Sequence, residues 1–128
     1  MKFNPDCARD VLIALESCGP REIITVEKLC ERIPGQSADD VHYSCKKLNE
    51  AGFIEAETAD FLAGGTSIIA VKDITYAGHE FLTNIRKDAI WDGVKSVAKK
   101  VGATSISAMT QIATNVVTEL IKAHFGLI

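Results

Sequence analysis

The sequence predicts a mainly α-helical protein with one small β-hairpin. Apolar residues recur at helical spacing in three segments before residue 52, and two strand-like runs then flank a Gly64-Gly65 loop. The period returns to a helical one after residue 75. The order is therefore helix, short strand, helix, helix, hairpin, helix. This order predicts a winged helix-turn-helix domain over residues 1–86, followed by C-terminal helices over residues 87–128.

The first helix begins with Asn4 as its cap and Pro5 at the first helical position. These residue types suit the unpaired N–H groups at a helix start. The helix should end near Cys18, because Gly19-Pro20 follows it, and Ile23-Ile24 then reads as a very short strand. Its inward stripe is predicted to be Ala8, Val11, Leu12 and Leu15.

The next two helices have helix-turn-helix spacing. The second follows Thr25 and ends before Pro34-Gly35, and the third opens with a Ser37-x-x-Asp40 capping box and ends at Gly52. The residues predicted to point inward are Val26, Leu29, Cys30 and Ile33 in the second helix, and Val41, Cys45 and Leu48 in the third.

The wing is predicted from two strands, 53–58 and 67–74, and the loop between them has no Arg or Lys for a minor groove. Phe61 and Leu62 in this loop are expected either to pack back or to meet a partner. Thr75 then caps a fourth helix, whose predicted inward residues are Tyr76, Phe81, Leu82 and Ile85.

Two segments carry a resemblance to known proteins: Leu48-Asn49-Glu50-Ala51-Gly52-Phe53-Ile54 and Ile74-Thr75-Tyr76-Ala77-Gly78-His79-Glu80-Phe81-Leu82. The first resembles the passage from recognition helix to wing in winged-helix regulators, and the second resembles their Leu-Thr-x-x-Gly entry to the next helix. Residues 73–86, with the opening Asn4-Pro5-Asp6, more closely resemble a family of bacterial and prophage proteins classed as a domain of unknown function. This resemblance implies the fold and the setting, and it supplies no activity or catalytic residue.

Charge is divided unevenly along the chain. Residues 1–86 hold 9 Lys and Arg against 14 Asp and Glu, a net charge of −5, whereas residues 87–128 hold 5 against 3, a net charge of +2. Nucleic-acid binders usually present a basic patch to phosphates, so the acidity of the first part counts against nonspecific DNA affinity. It does not exclude a local basic patch.

The amino terminus lacks the charged and then apolar run of a secretory signal, which predicts a cytoplasmic protein. Four cysteines lie at spacings of 11, 12 and 15, which match no zinc-binding pattern and predict free buried thiols: Cys7, Cys18, Cys30 and Cys45. We therefore expect no metal and no cofactor. Neither a phosphate-binding glycine pattern nor a nucleophile-histidine set can be placed by spacing, so we expect no enzyme.

The outward face of the third helix is the candidate binding site. His42, Tyr43, Lys46 and Lys47 can reach phosphates or base edges if the helix enters a major groove. Asp39 and the Asp40 cap work against such contact. Two functions stay open: a DNA-binding transcriptional regulator, or a winged-helix module that binds a protein partner.

The tail has a broad apolar stripe with heptad spacing after a break near Gly102: Ile106, Met109, Ala113, Val116, Leu120, Ala123 and Leu127. A second copy of the helix, the chain's own domain and a lipid surface are the alternatives that could cover it. Polar residues interrupt the stripe too often for a membrane span, and Lys122 alone gives little attraction to a lipid surface. We expect homo-oligomerisation through this helix.

Overall fold

The computed structural model describes residues 1–126, so Leu127 of the predicted stripe lies outside the described residues. The elements in chain order are α1 (Pro5–Glu16), β1 (Ile24–Thr25), α2 (Val26–Arg32), α3 (Ala38–Glu50), β2 (Ile54–Asp60), β3 (Thr66–Ile74), α4 (Tyr76–Ile85), α5 (Asp88–Val101) and α6 (Ile106–His124). They divide into two compact units, Met1–His79 and Glu80–Ile128. The boundary at residue 86 stays a prediction.

The first unit has the winged-helix arrangement. Helices α1, α2 and α3 contact one another, and the three strands form one antiparallel sheet in the order β1-β3-β2. The hairpin of β2 and β3 is the wing, and two register irregularities interrupt its pairing. The predicted fold class, mainly α with a small hairpin in a winged helix-turn-helix, is confirmed.

The helix starts form as predicted, because each cap side chain accepts a backbone N–H that the helix leaves unpaired. Asn4 accepts from the Cys7 amide, Thr25 from Lys28 and Ser37 from Asp40. The predicted inward residues of α1, α2 and α3 are buried, except Cys30, which is half-buried.

The end of α3 is locked to the start of α4. Gly52 has a φ of 78°, and the amides of Gly52 and Phe53 donate to the carbonyls of Asn49 and Leu48, which is a Schellman ending. Thr75 donates through its amide to the Phe53 carbonyl and through its hydroxyl to the Gly52 carbonyl. The two segments that resemble winged-helix regulators are therefore in direct contact.

Helix α4 corrects one expectation from the sequence. The Tyr76 side chain, predicted to point inward, is 81% exposed. The buried stripe begins instead at Gly78 and continues through Phe81, Leu82 and Ile85. The reason is helical phase: positions 78, 81, 82 and 85 share a face, whereas position 76 is two residues from Gly78 and lies on the opposite side.

In the second unit α5 packs against α6. Gly102, with a φ of 69°, ends α5, and the Ser105 hydroxyl caps α6 by accepting from the Ala108 amide. The fully covered side chains of this helix pair are Trp91, Val94, Ala98, Met109 and Ala113. Within residues 1–126, no helix combines the length and the apolar character needed to cross a membrane.

Candidate functional site

A shallow cleft of about 260 Å³ lies beside the outward face of α3. It is bounded by α3 and by Thr66, the first residue of β3. The residues that line it are Met1, Asp39, His42, Tyr43, Lys46 and Thr66. Three of the four predicted binding residues thus meet at one place, while Lys47 lies next to it in the chain.

Lys46 provides a positive charge on this face that can bind an anionic ligand. Its side chain is half-buried, and within the described part of the chain its ammonium forms no ion pair or hydrogen bond. A long lysine stem that packs against protein while its charged end reaches solvent is suited to meeting an anion.

Lys47 is occupied by neighbours on its own helix. Its ammonium lies 2.9 Å from a Glu50 carboxylate oxygen and 5.2 Å from the centre of the Tyr43 ring. The Glu50 hydrogen bond raises the pKa of Lys47, so this side chain keeps its positive charge. Solvent-exposed ion pairs of this kind contribute little to stability, so a phosphate could take the place of Glu50.

His42 faces the wing as well as the cleft. Its Nε2 atom lies 3.2 Å from the Ser67 hydroxyl oxygen and 3.4 Å from the Ile68 backbone nitrogen. The ring therefore joins α3 to β3, a contact between residues 25 and 26 positions apart. The sequence contained no signal for this contact, because it depends on the strand register.

The two acidic residues at the start of α3 differ in their surroundings. The Asp40 carboxylate accepts a hydrogen bond of 3.3 Å from the Asn4 side chain, which also donates to Gln36. Gln36 in turn donates to Asp10, so a polar network ties the first turn of α3 to α1. Asp39 is exposed and lines the cleft. Asp39 is therefore the acidic residue of this turn that directly faces a phosphate entering the cleft.

The wing presents apolar and acidic groups. Phe61 and Leu62 are exposed at its tip, so of the two alternatives for these residues they do not pack back onto their own chain. Two backbone hydrogen bonds between Phe61 and the glycines Gly64 and Gly65 fix the turn. Glu55, Glu57 and Asp60 on β2 are also exposed, and Asp60 accepts from the Thr66 hydroxyl.

The predicted oligomerisation stripe of α6 is covered along only half its length. Met109 and Ala113 are buried, and Ile106 and Val116 are half-buried. Leu120 and Ala123 are exposed, as are the flanking Ile121 and Phe125. One copy of the chain thus leaves the C-terminal part of the stripe open.

The four thiols, which were predicted to be free and buried, differ in their burial. The four cysteines are free; Cys7 and Cys45 are buried, whereas Cys18 and Cys30 are half-buried. Within residues 1–126, no group of three or more His, Cys, Asp or Glu side chains has the arrangement needed for a metal ion. Burial raises the pKa of Cys7 and of Cys30. These thiols are therefore disfavoured as thiolates.

Comparison with known proteins identifies the family. Residues 2–105 match the family described as "Hypothetical protein (DUF2513)", and the chain belongs to this family. It is 30% identical over 122 residues to a protein of Haemophilus influenzae described as uncharacterized, covering 94% of this chain and 99% of the relative. It is also similar to a crystal structure from Thermoplasma acidophilum described as a "putative transcriptional regulator". That match has 20% identity and a TM-score of 0.48, and it covers 77% of this chain and 92% of the other.

Proposed function

We propose that this member of the DUF2513 family is a homo-oligomeric, winged-helix DNA-binding transcriptional regulator of bacterial or prophage origin. It acts in the cytoplasm and has no catalytic activity. The observation that carries the proposal is the position of Tyr43 and Lys46 on the outward face of α3, at the cleft beside the wing strand. In helix-turn-helix proteins the corresponding helix lies in the major groove.

Charge limits how this binding would work. The first unit is acidic overall, so attraction to phosphates has to come from a local patch rather than from net charge. Lys46 supplies one cation, and Lys47 supplies a second when it exchanges Glu50 for a phosphate. The Asn4 contact holds the Asp40 carboxylate toward α1, which reduces the repulsion at the start of α3.

The experiment is a salt titration of DNA binding, with the upstream region of the protein's own gene as the probe. For the double variant Lys46→Ala and Lys47→Ala, we expect weaker binding and a salt slope lower by up to about 2, one unit for each phosphate that the protein no longer neutralises. The matched control is Lys99→Ala with Lys100→Ala, which removes two exposed lysines from α5. If the DNA affinity falls equally in both double variants, or if the salt slope of the first is unchanged, α3 is not part of the DNA interface.

Homo-oligomerisation through α6 is part of the proposal. Leu120, Ile121 and Phe125 are 50%, 52% and 68% exposed, and they continue the stripe whose first half is buried against the chain's own helices. Glu119 and Lys122 form an ion pair at 3.6 Å beside this stripe, so a second α6 would meet both charges at its border. Two-fold pairing would also allow two copies of α3 to contact two half-sites.

A specific observation favours a second candidate, a protein-interaction module without DNA affinity. The exposed Phe61 and Leu62 form an apolar tip on a wing whose outer strand carries three carboxylates. Phosphates would repel those carboxylates, whereas a protein pocket with an apolar floor and a basic rim would complement them.

The same DNA titration separates the two candidates when it compares the wild-type protein with the wing variant Phe61→Ser with Leu62→Ser. The wild type reports whether the protein binds DNA, and the variant reports whether the wing tip contributes to that binding. A DNA-binding regulator retains its affinity in this variant, because the tip offers no cation to phosphates. The protein-interaction module shows no salt-dependent DNA binding in the wild-type protein, even at low ionic strength. In that case α3 and the wing would together be assigned to a protein partner.

A further inference from the structure

We infer that the first unit has a second binding site, a cavity of about 220 Å³ that takes a small zwitterion with an apolar side chain, a free aliphatic amino acid. The cavity lies between residues 15–24, from the end of α1 to β1, and residues 71–79, from the end of β3 to the start of α4. It shares no lining residue with the cleft beside α3. Such a site goes beyond the proposed function, because it does not depend on whether α3 binds DNA or a protein.

The inner wall of the cavity is apolar. It is lined by four residues of α1, β1 and β3 that are at most 7% exposed: Leu15, Ile24, Val71 and Ile74. Ligand cavities are typically lined by such side chains, with a few polar groups that orient the ligand. At about 30 Å³ for each group the size of a water molecule, the cavity holds about seven such groups. This size suits an aliphatic side chain whose charged end stays at the rim.

The loop that closes one side of the cavity is held in place by Glu22. Its carboxylate accepts from the Gly19 amide at 3.2 Å and from the Arg32 guanidinium at 3.0 Å, and its own amide donates to the Gly19 carbonyl. Gly19 and Pro20 line the cavity and bring no long side chain that could fill it. The wall is therefore formed before any ligand binds, and the Glu22 charge is already paired.

Lys72 and Asp73 place opposite charges at the rim. Consecutive residues of a regular strand point to opposite faces of the sheet. The pairing of β2 and β3 shifts here, because Glu55 faces Asp73 and Ala56 faces Val71, so no residue of β2 stands opposite Lys72. Such an irregularity can redirect a side chain. Both Lys72 and Asp73 line the cavity and are exposed at its opening.

Both of these charges can still bind a ligand. Among the residues that the structure describes, the Lys72 ammonium has no ion pair or hydrogen bond, and Asp73 uses only Oδ1, which accepts the Ile74 N–H at 2.8 Å. An amino acid would place its ammonium at Asp73 and its carboxylate at Lys72, two charge-assisted contacts. Glu16 also lines the rim and adds to the attraction for an ammonium group. A simple amine would leave Lys72 unpaired beside its own positive charge, which favours the zwitterion.

The experiment titrates the full chain with L-leucine and follows the backbone amides of residues 15–24 and 71–79 by nuclear magnetic resonance. We expect saturable shifts in these two segments, with half-saturation on the order of 1 mM, as for a small ligand with few contacts. Isopentylamine lacks the carboxylate of leucine and isocaproate lacks the ammonium, so each should bind about fivefold more weakly. Glycine lacks the apolar side chain and should bind at least about tenfold more weakly.

Two variants correspond to the two analogues. Lys72→Met should weaken leucine binding by about fivefold without weakening isopentylamine binding. Asp73→Asn keeps an acceptor for the Ile74 N–H, and it should weaken leucine and isopentylamine but not isocaproate. A structural disturbance would weaken all three ligands alike. The matched control is Lys2→Met with Glu57→Gln, which removes two exposed charges of the same unit that do not line the cavity and should leave binding unchanged.

Three results would overturn this site or its ligand. The first is the absence of saturable leucine shifts in both segments. The second is glycine binding as tightly as leucine, because the apolar wall would then have no role. The third is isopentylamine binding as tightly as leucine with no effect of Lys72→Met, because the ligand would then be an amine. None of these measurements contains DNA, so they are independent of the titration that tests α3.

Discussion

Helices α3 and α6 each carry a regular apolar stripe, but only one of the stripes is closed. Val41, Cys45 and Leu48 of α3 are all 0% exposed. On α6 the stripe is buried at Met109 and Ala113 and exposed at Leu120. The same kind of pattern therefore has two structural outcomes within one chain.

The difference arises from what packs against each helix. Helix α3 contacts α1, α2, β2 and β3, so elements lie around its apolar side. Helix α6 packs against α5, which is 14 residues long where α6 has 19. At 1.5 Å per residue α6 exceeds its partner by about 7.5 Å. Periodicity thus predicts which face of a helix is apolar, whereas the lengths of neighbouring elements decide how much of it is covered.

The largest expected effect tests the close contact between Gly78, in the first turn of α4, and Phe53, which follows α3. A Cβ on Gly78 would overlap the Phe53 carbonyl oxygen and lie 2.7 Å from Ile74 Cγ2. We expect Gly78→Ala to lower the free energy of unfolding by about 3 kcal/mol, the upper range for overpacking a core. Urea unfolding of the purified protein measures this change.

A second helical glycine serves as the control. Gly93 in α5 has nothing within 4 Å of an added Cβ, so Gly93→Ala should raise the free energy of unfolding by about 0.5–1 kcal/mol through helix propensity. If the two alanines have the same effect, close packing at Gly78 is not what joins the end of α3 to α4.

The next effect concerns the open half of α6. We expect Leu120→Asp to weaken self-association by about 2 kcal/mol per copy, because it replaces a large apolar side chain at the interface by a charge. Light scattering on the full-length protein measures this as a lower mass at equal concentration. Because Leu120 is half exposed in one copy, the fold of the variant monomer should be retained.

The buried half of the same stripe supplies the contrast. Met109→Ala should lower the free energy of unfolding by about 3 kcal/mol and leave the mass unchanged, since Met109 is covered within its own copy. A wild-type protein that is already monomeric would contradict the proposed role of α6. An oligomer that Leu120→Asp leaves intact would place the interface elsewhere.

Local signals in the sequence were sufficient for the fold. Side-chain caps and glycines at helix ends act within a few residues, so Ser37 and Gly52 defined α3 without any knowledge of its neighbours. The sequence did not predict interactions between residues that are far apart in the chain. The hydrogen bond from the Ile68 backbone N–H to His42 joins residues 26 positions apart, beside a shift in the register of β2 and β3, and a sequence pattern does not specify strand register at that precision.

The sequence predicted which residues lie at the candidate site, but it did not predict which neighbours they contact. Tyr43, Lys46 and Lys47 lie on the outward side of α3 because the inward residues are fixed by periodicity. The pairing of Lys47 with Glu50 is a neighbour effect of helical spacing and could have been found. The tie between Asp40 and Asn4 joins two helices, so it required the tertiary structure.

The smallest expected effect uses pH to compare the buried apolar stripe of α3 with the partly exposed stripe of α6. Burial raises the pKa of the Cys45 thiol from its ordinary value of 9.0 to about 12. The folded chain thus keeps the thiol neutral where the unfolded chain ionises it. The resulting stability is complete below pH 9 and is lost as pH rises from 9 toward 12. At pH 10 the decrease is about 1.4 kcal/mol, the equivalent of one pKa unit.

Urea unfolding at pH 7 and pH 10 isolates this contribution when wild type is compared with Cys45→Ala. The variant loses packing equally at both pH values, and the other thiols, tyrosines and lysines titrate in both proteins, so the difference in pH dependence belongs to Cys45. Adding Leu120→Cys to the variant, at a protein concentration low enough for the chain to be monomeric, places a thiol on the open stripe of α6, where solvent reaches half of the native side chain. That thiol should ionise alike in the folded and unfolded chains and should therefore restore none of the missing pH dependence. Equal pH dependence in wild type and Cys45→Ala would mean that water reaches the α3 stripe, and the contrast between the two helices would then fail.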